Sequence, residues 1–196
     1  ASAPALREIY AHGFRNPHRI TWTKNGEMLV SNIGGANIES VNLVKPGLNF
    51  GWPAREGSFM IEPDANWEKA YPLPANDSSY HFTYPVVAYD HNNGVAAISG
   101  GYEYWGNSIP ELKGKYLFGD IPSGRLFYIN LAELKQGKLS TIHEWKIAIN
   151  GQVKTLRELC DNSRVDLHFG RDAKGELYIM TKPDGKIYQL TGTQKP

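Results

Sequence analysis

The sequence predicts an all-β protein, a β-propeller of about three blades built from four-stranded antiparallel sheets. Three observations lead there. First, short candidate strands rich in β-branched and aromatic residues recur along the chain, each bounded by Gly, Pro, Asn or Asp. Second, three segments align without gaps: NGEMLVSN at 25–32, KGKYLFGD at 113–120 and KGELYIMT at 174–181. Each has a turn glycine, a charge, mostly apolar strand residues and a small or polar exit. Third, each copy is followed by another strand, at 39–44, 125–131 and 186–192. Recurring four-stranded units of this kind are the pattern of a propeller. Three such units cannot close a ring, so the chain is expected to form about half of a larger one. A complete sandwich-type all-β domain is the competing reading.

Taken in order, the first unit has RITWTK at 19–24, the hairpin at 25–32 and ESVNLV at 39–44. Its hairpin turn needs a residue with φ > 0, which glycine supplies. About two extra residues surround Gly34-Gly35, marking this turn as specialised. Residues 53–80 form a long insertion without a clear period, and loops of that length are usually functional or disordered. They contain the glycosylation sequon Asn76-Asp77-Ser78. Further strands are expected at 83–90, 100–106, 141–149 and 165–170, with helical turns at 109–114 and 153–159. In the second and third copies another glycine falls ten residues after the first: Gly124 after Gly114 and Gly185 after Gly175.

The 196 residues suffice for one domain with a core. A net charge of +1, from 21 basic and 20 acidic residues, gives no reason to expect nucleic acid or an anionic membrane as partner. No apolar run is long enough to span a bilayer. The opening ASAPALREIY carries no signal-peptide pattern, which leaves a removed leader open. A single cysteine, Cys160, excludes an intrachain disulfide and a cysteine-based zinc site, and reads as a small packed hydrophobe. His18, His81, His91 and His168 lack the spacing of a metal motif. Asp120 shares its repeat position with Asn32 and Thr181, which favours a polar strand-exit residue bonding local backbone. The nucleotide-binding glycine motifs and the hydrolase elbow GxSxG are absent.

The stretches GFRNPHRITW, SNIGGANIESVNLVKPGLNFGWP, ISGGYEYWG, KGKYLFGDIPSGRLF and GRDAKGELYIMTKPDGKIYQL resemble the C-terminal half of the glucose/sorbosone dehydrogenase family. This is the soluble, pyrroloquinoline quinone (PQQ)-dependent type of six-bladed propeller. The resemblance covers nearly the whole chain, least so 53–80. It implies PQQ and Ca²⁺ as cofactors, with Arg15 and Asn16 matching the family's cofactor-contacting pair. A guanidinium fork suits a carboxylate or an orthoquinone edge, and Pro17 restricts Asn16 to an extended conformation. It further implies that the carbonyls of Gly34 and Gly35 bind the calcium, although Pro usually follows the first glycine in the glucose enzymes. Tyr84 aligns with an aromatic of the family's pocket region, and His91 reads as either a pocket residue or a turn histidine. Two departures stand out. Where the family carries a lysine, this chain has Pro122 and Ser123, with Arg125 close by. Of the family's Arg-x-Arg before the last hairpin, only Arg164 is a candidate.

The resemblance implies a sugar dehydrogenase that passes hydride to a quinone while a histidine takes the hydroxyl proton. No residue of this chain matches that histidine or its aspartate partner. The competing reading is a non-catalytic propeller binding a carbohydrate or a protein. Expected partners are a sugar substrate and either the N-terminal half of the propeller or a second copy of the chain. The resemblance implies a periplasmic or secreted location.

Overall fold

The computed structural model describes residues 6, 8–61, 69–92 and 94–193, and the all-β reading holds for them. The first sheet is formed by β1 (Pro17–Trp22), β2 (Met28–Asn32) and β3 (Ile38–Val44), each antiparallel to the next. The chain then leaves the sheet through three very short paired strands, β4 (Arg55–Glu56), β5 (Phe59–Ile61) and β6 (Ala70–Tyr71), and a 3-10 turn at Asp77–Tyr80. It returns as β7 (Val87–Asp90), which pairs with β3 and completes four strands. The stretch 53–80 thus carries ordered structure, but its strands of two or three residues are too short to leave a period in the sequence. Part of it, 62–68, lies outside the described residues.

The second sheet repeats the plan with β8 (Ile98–Glu103), β9 (Lys115–Asp120), β10 (Leu126–Asn130) and β11 (His143–Trp145). The segment expected as one strand at 141–149 divides. After β11 the chain starts a separate hairpin of β12 (Ile147–Ile149) and β13 (Gln152–Lys154). A one-turn helix, α1 (Leu156–Cys160), follows, opened by a capping box between Thr155 and Glu158. The expected helical turn at 109–114 is a 3-10 turn at Pro110–Leu112. The third sheet has three strands, β14 (Leu167–Arg171), β15 (Leu177–Thr181) and β16 (Lys186–Gln189). Among the described residues β16 pairs with β15 alone.

The turn glycines of the repeat, Gly26, Gly114 and Gly175, have φ of 83°, 72° and 84°, as the tight hairpins require. The first strands of the three sheets form a row, with β1 against β8 and β8 against β14. Both β1 and β8 are bulged near their starts, at Pro17/Arg19 and Ile98/Gly100. The Arg19 side chain lies over Gly100, where a Cβ would come within 2.8 Å of its Cδ. Its guanidinium donates to the Ser99 carbonyl at 3.3 Å and the Tyr102 hydroxyl at 3.0 Å. Between the first and second sheets Leu29, Val41, Leu43, Ile98, Phe118 and Phe127 form one core. Between the second and third sheets Leu126, Val165, Leu167, Phe169 and Ile179 form another. Strand β3 is buried along its whole length, although it carries Glu39, Ser40 and Asn42.

Candidate functional site

The loop entering β1 and the turn between β2 and β3 are fastened together. Asn16 accepts a hydrogen bond from the Ile33 N–H at 2.9 Å on its carbonyl. Its own N–H donates to the Asn32 side-chain oxygen at 2.9 Å. Arg15 donates through Nη1 to the Ile33 carbonyl at 3.4 Å, and its guanidinium lies 5.8 Å from the Trp52 ring centre. Arg15 is exposed. The structure therefore brings Arg15 and Asn16 to the turn that holds Gly34 and Gly35.

That turn needs glycine for space, since neither residue has a positive φ. A Cβ on Gly34 would overlap the Ile38 carbonyl oxygen and reach Glu56 Oε1 at 2.8 Å. A Cβ on Gly35 would lie 2.8 Å from Glu56 Oε2, 3.6 Å from the Trp52 ring and 3.7 Å from Arg15 Nε. Two buried glutamates grip the turn from either side. Glu39, 0% exposed, accepts from the Gly34 N–H at 3.2 Å and the Ile98 N–H at 2.8 Å. It also lies 2.9 Å from His91 Nε2. Glu56, 4% exposed, accepts on Oε1 from the Asn37 and Ile38 N–H groups, both at 2.8 Å. Its Oε2 is buried without a hydrogen-bond partner among the described residues. The hydrogen bond to Glu39 raises the imidazole pKa of His91 above its ordinary value against the opposing effect of burial, with Glu39, Glu56 and Asp120 adding favourable field.

The other expected residues sit in separate clusters. The Tyr84 hydroxyl donates to Asp77, which also pairs with Arg55 at 2.7 Å. Burial and then the Asp77 carboxylate push the Tyr84 hydroxyl up to about 12. Arg125 makes a two-pronged pair with Glu144, at 3.0 and 2.8 Å, over the Phe127 ring. Arg164 pairs with Asp166 at 2.7 Å on an exposed surface. Asp120 has the backbone-bonding role its repeat position suggests: it accepts from the N–H groups of Ala97 and Ser123, both at 2.9 Å. Sequence reasoning missed Glu39 and Glu56. The first had a visible signal, a lone acid inside the otherwise uncharged strand IESVNLV. The second was hidden in a stretch without a period.

A cation fits this turn on chemical grounds: hard cations take carboxylate and carbonyl oxygens, and one buried carboxylate oxygen here has no partner among the described residues. Among the expected cofactor-contacting residues, Arg15 alone presents a cation to an anionic ligand beside the turn.

The Glucose / Sorbosone dehydrogenase family profile matches residues 1–191. Among curated proteins, the HIPL2 protein of Arabidopsis thaliana is 33% identical over 122 residues, 58% of this chain and 17% of that protein. Quinoprotein glucose dehydrogenase B of Acinetobacter calcoaceticus is 29% identical over 164 residues, 77% of this chain and 32% of its own length. Among solved structures, the apo soluble aldose sugar dehydrogenase of Escherichia coli superposes with a TM-score of 0.64 at 18% identity, over 93% of this chain and 46% of that one. The PQQ-bound aldose sugar dehydrogenase of Streptomyces coelicolor gives 0.53 at 20% identity, over 95% and 42%. The chain thus spans less than half the length of these relatives. The structural likenesses show a shared all-β antiparallel fold, that of β-propeller dehydrogenases. With the profile spanning nearly the whole sequence, the chain belongs to the glucose/sorbosone dehydrogenase family.

Proposed function

We propose that the chain is the C-terminal part of a PQQ- and calcium-dependent sugar (aldose) dehydrogenase. In this reading the three sheets are three blades of a six-bladed ring. The open edge at β16 and the exposed Ile20 and Trp22 of β1 are covered by the N-terminal half of the propeller, or by a second copy. The enzyme works in the periplasm or outside the cell. The observation that carries the reading is the fastening of Arg15 and Asn16 onto the Gly34–Gly35 turn. It sets an exposed guanidinium beside a turn equipped for a cation, the combination that an anionic quinone with its metal requires.

When bound, PQQ supplies the hydride acceptor. The residues of this chain bind and orient. Arg15, resting on Trp52, meets a carboxylate or carbonyl of the cofactor. Asn16 is fixed at both its backbone groups, which holds its backbone beside the turn. Gly34 and Gly35 offer backbone oxygens to the metal. The base that takes the sugar's hydroxyl proton comes from outside this chain.

The test is to titrate the full propeller, this chain together with the half that supplies the base, with PQQ in the presence of Ca²⁺, following quinone absorbance and sugar-dependent dye reduction. Arg15→Ala should weaken quinone binding by about tenfold or more, the value of a charge-assisted hydrogen bond. No absorbance change, with no reduction across aldoses, overturns the reading. A second reading, a non-catalytic module for a carbohydrate or protein, is favoured by Pro122 and Ser123 standing where the family carries a lysine and by Arg164 alone remaining of its Arg-x-Arg. Calorimetry showing Ca²⁺ binding without quinone binding would select it.

A further inference from the structure

We propose that Glu56 is the anionic ligand of a calcium-class cation at the Gly34–Gly35 turn, a role that rests on the functional reading above and assigns it a residue. Of the four carboxylate oxygens that Glu39 and Glu56 bring to the turn, three accept hydrogen bonds. The fourth, Glu56 Oε2, is buried and has no hydrogen-bond partner among the described residues. A buried carboxylate oxygen left without a partner is costly, and native structures rarely keep one without a reason. It is also held in place. The Asn37 and Ile38 N–H groups pin Oε1, which leaves Oε2 turned toward Gly35, 2.8 Å from where a Cβ would stand.

The surroundings suit a cation. Both turn residues lack side chains, so the backbone comes within reach of the carboxylate, and hard cations take that mixture of carboxylate and carbonyl oxygens. Glu39 lies on the other side of Gly34 and adds negative field although its own oxygens are engaged. Arg15 Nε and the Trp52 ring border the same point, at 3.7 and 3.6 Å from it. Arg15 is thus the positive charge a bound metal would have to displace. An anionic ligand that draws Arg15 outward would open the place for the metal.

Terbium luminescence tests this without quinone or sugar, because Trp52 stands close enough to sensitise a bound ion. The wild-type protein should give a Trp-sensitised terbium signal, displaced by Ca²⁺, and a Ca²⁺-dependent rise in Tm. Glu56→Gln is nearly isosteric. Its carbonyl can still accept from Asn37 and Ile38, and its amide nitrogen falls where no donor is lost. Without metal its Tm should match or exceed wild type, while terbium and Ca²⁺ affinities fall at least tenfold. Equal affinities in Glu56→Gln and wild type overturn this assignment alone. No terbium signal and no Ca²⁺ response in wild type overturn it together with the calcium part of the functional reading. Arg15→Gln gives an independent check that does not touch the carboxylate. Removing the competing charge should tighten terbium binding several-fold, and a weakening refutes the proposed geometry.

Discussion

Glu39 should be a stability determinant out of proportion to its single side chain, and Glu39→Gln exposes why. The carboxylate is fully buried and serves three elements at once: the Gly34 N–H of the turn, the Ile98 N–H at the start of β8, and His91 after β7. A glutamine keeps one acceptor oxygen and turns an NH₂ toward the other donors. Whichever way it faces, at least one buried N–H loses its acceptor, at about 1–3 kcal/mol, and His91 loses a charged partner. A total of about 2–4 kcal/mol follows. For a chain of this size that lowers Tm by roughly 5–15 °C, measured by calorimetry. The pH dependence adds a second signature. His91 has a raised folded pKa, so the stability it contributes is full below the ordinary imidazole value near 6.5. It is lost as pH rises through the folded value. Wild type should therefore lose part of its advantage over Glu39→Gln as pH rises beyond the ordinary imidazole value. If the two proteins melt within 1 °C of each other and share one pH profile from 5 to 9, the bridging role is refuted.

Two further outcomes follow from the same geometry. Gly34→Ala forces a Cβ onto the Ile38 carbonyl, a backbone atom that cannot rotate away, and should cost about 1–3 kcal/mol in urea unfolding. Gly26→Ala, with φ of 83° and open space around it, should cost only the left-handed backbone penalty of about 1 kcal/mol. The reverse order would contradict the crowding described. Glu176 is held down at about 2, first by the Tyr104 hydroxyl and, against burial, by the Asn107 and Ser108 N–H groups. Its contribution is present above the ordinary value near 4.5 and lost as pH falls from there toward 2. An acid titration of Glu176→Gln should show less loss of stability than wild type across that window, and identical slopes would remove Glu176 from the acid response.

Much of the fold was legible because hairpins leave local signatures. The glycines at 26, 114 and 175 sit where φ must be positive, and each precedes a run of strand residues, so three sheets could be counted from the sequence. The division of 141–149 was not legible. HEW and IAI are equally strand-like, and the change of partner after Trp145 is a tertiary event. At the candidate site, the two extra residues at Gly34-Gly35 announced a special turn. What makes it special did not show, because the Glu56 contacts to Asn37 and Ile38 span 19 and 18 residues. They arise from β4, a strand of two residues. Likewise Tyr84 looks like a pocket aromatic until folding joins it to Asp77 and Arg55, a pairing without a periodic trace.

The ion pairs made by the expected cofactor residues differ in how easily they yield to a ligand. Arg125 and Glu144 have side chains 35% and 47% exposed, and a pair so placed is worth about 0–1 kcal/mol. Redirecting Arg125 to an anionic ligand would therefore weaken binding by no more than about fivefold. Arg164 is more exposed still, at 60%, and is as readily released. The Arg55–Asp77–Tyr84 cluster is the opposite case, with Arg55 and Asp77 only 5% and 14% exposed. Breaking that pair by removing one partner costs about 3–5 kcal/mol, and the Tyr84 hydroxyl, donating to its carboxylate, braces the loop before β7. The candidate cations thus fall into an order of availability: Arg15 first, without an acidic partner in a hydrogen bond or ion pair among the described residues, then Arg164 and Arg125 at small cost. A tricarboxylate needs more than one of them. The ion pair at Arg125 is compatible with a role in cofactor binding, whereas at Tyr84 the hydroxyl is engaged and a cofactor contact would fall to the ring.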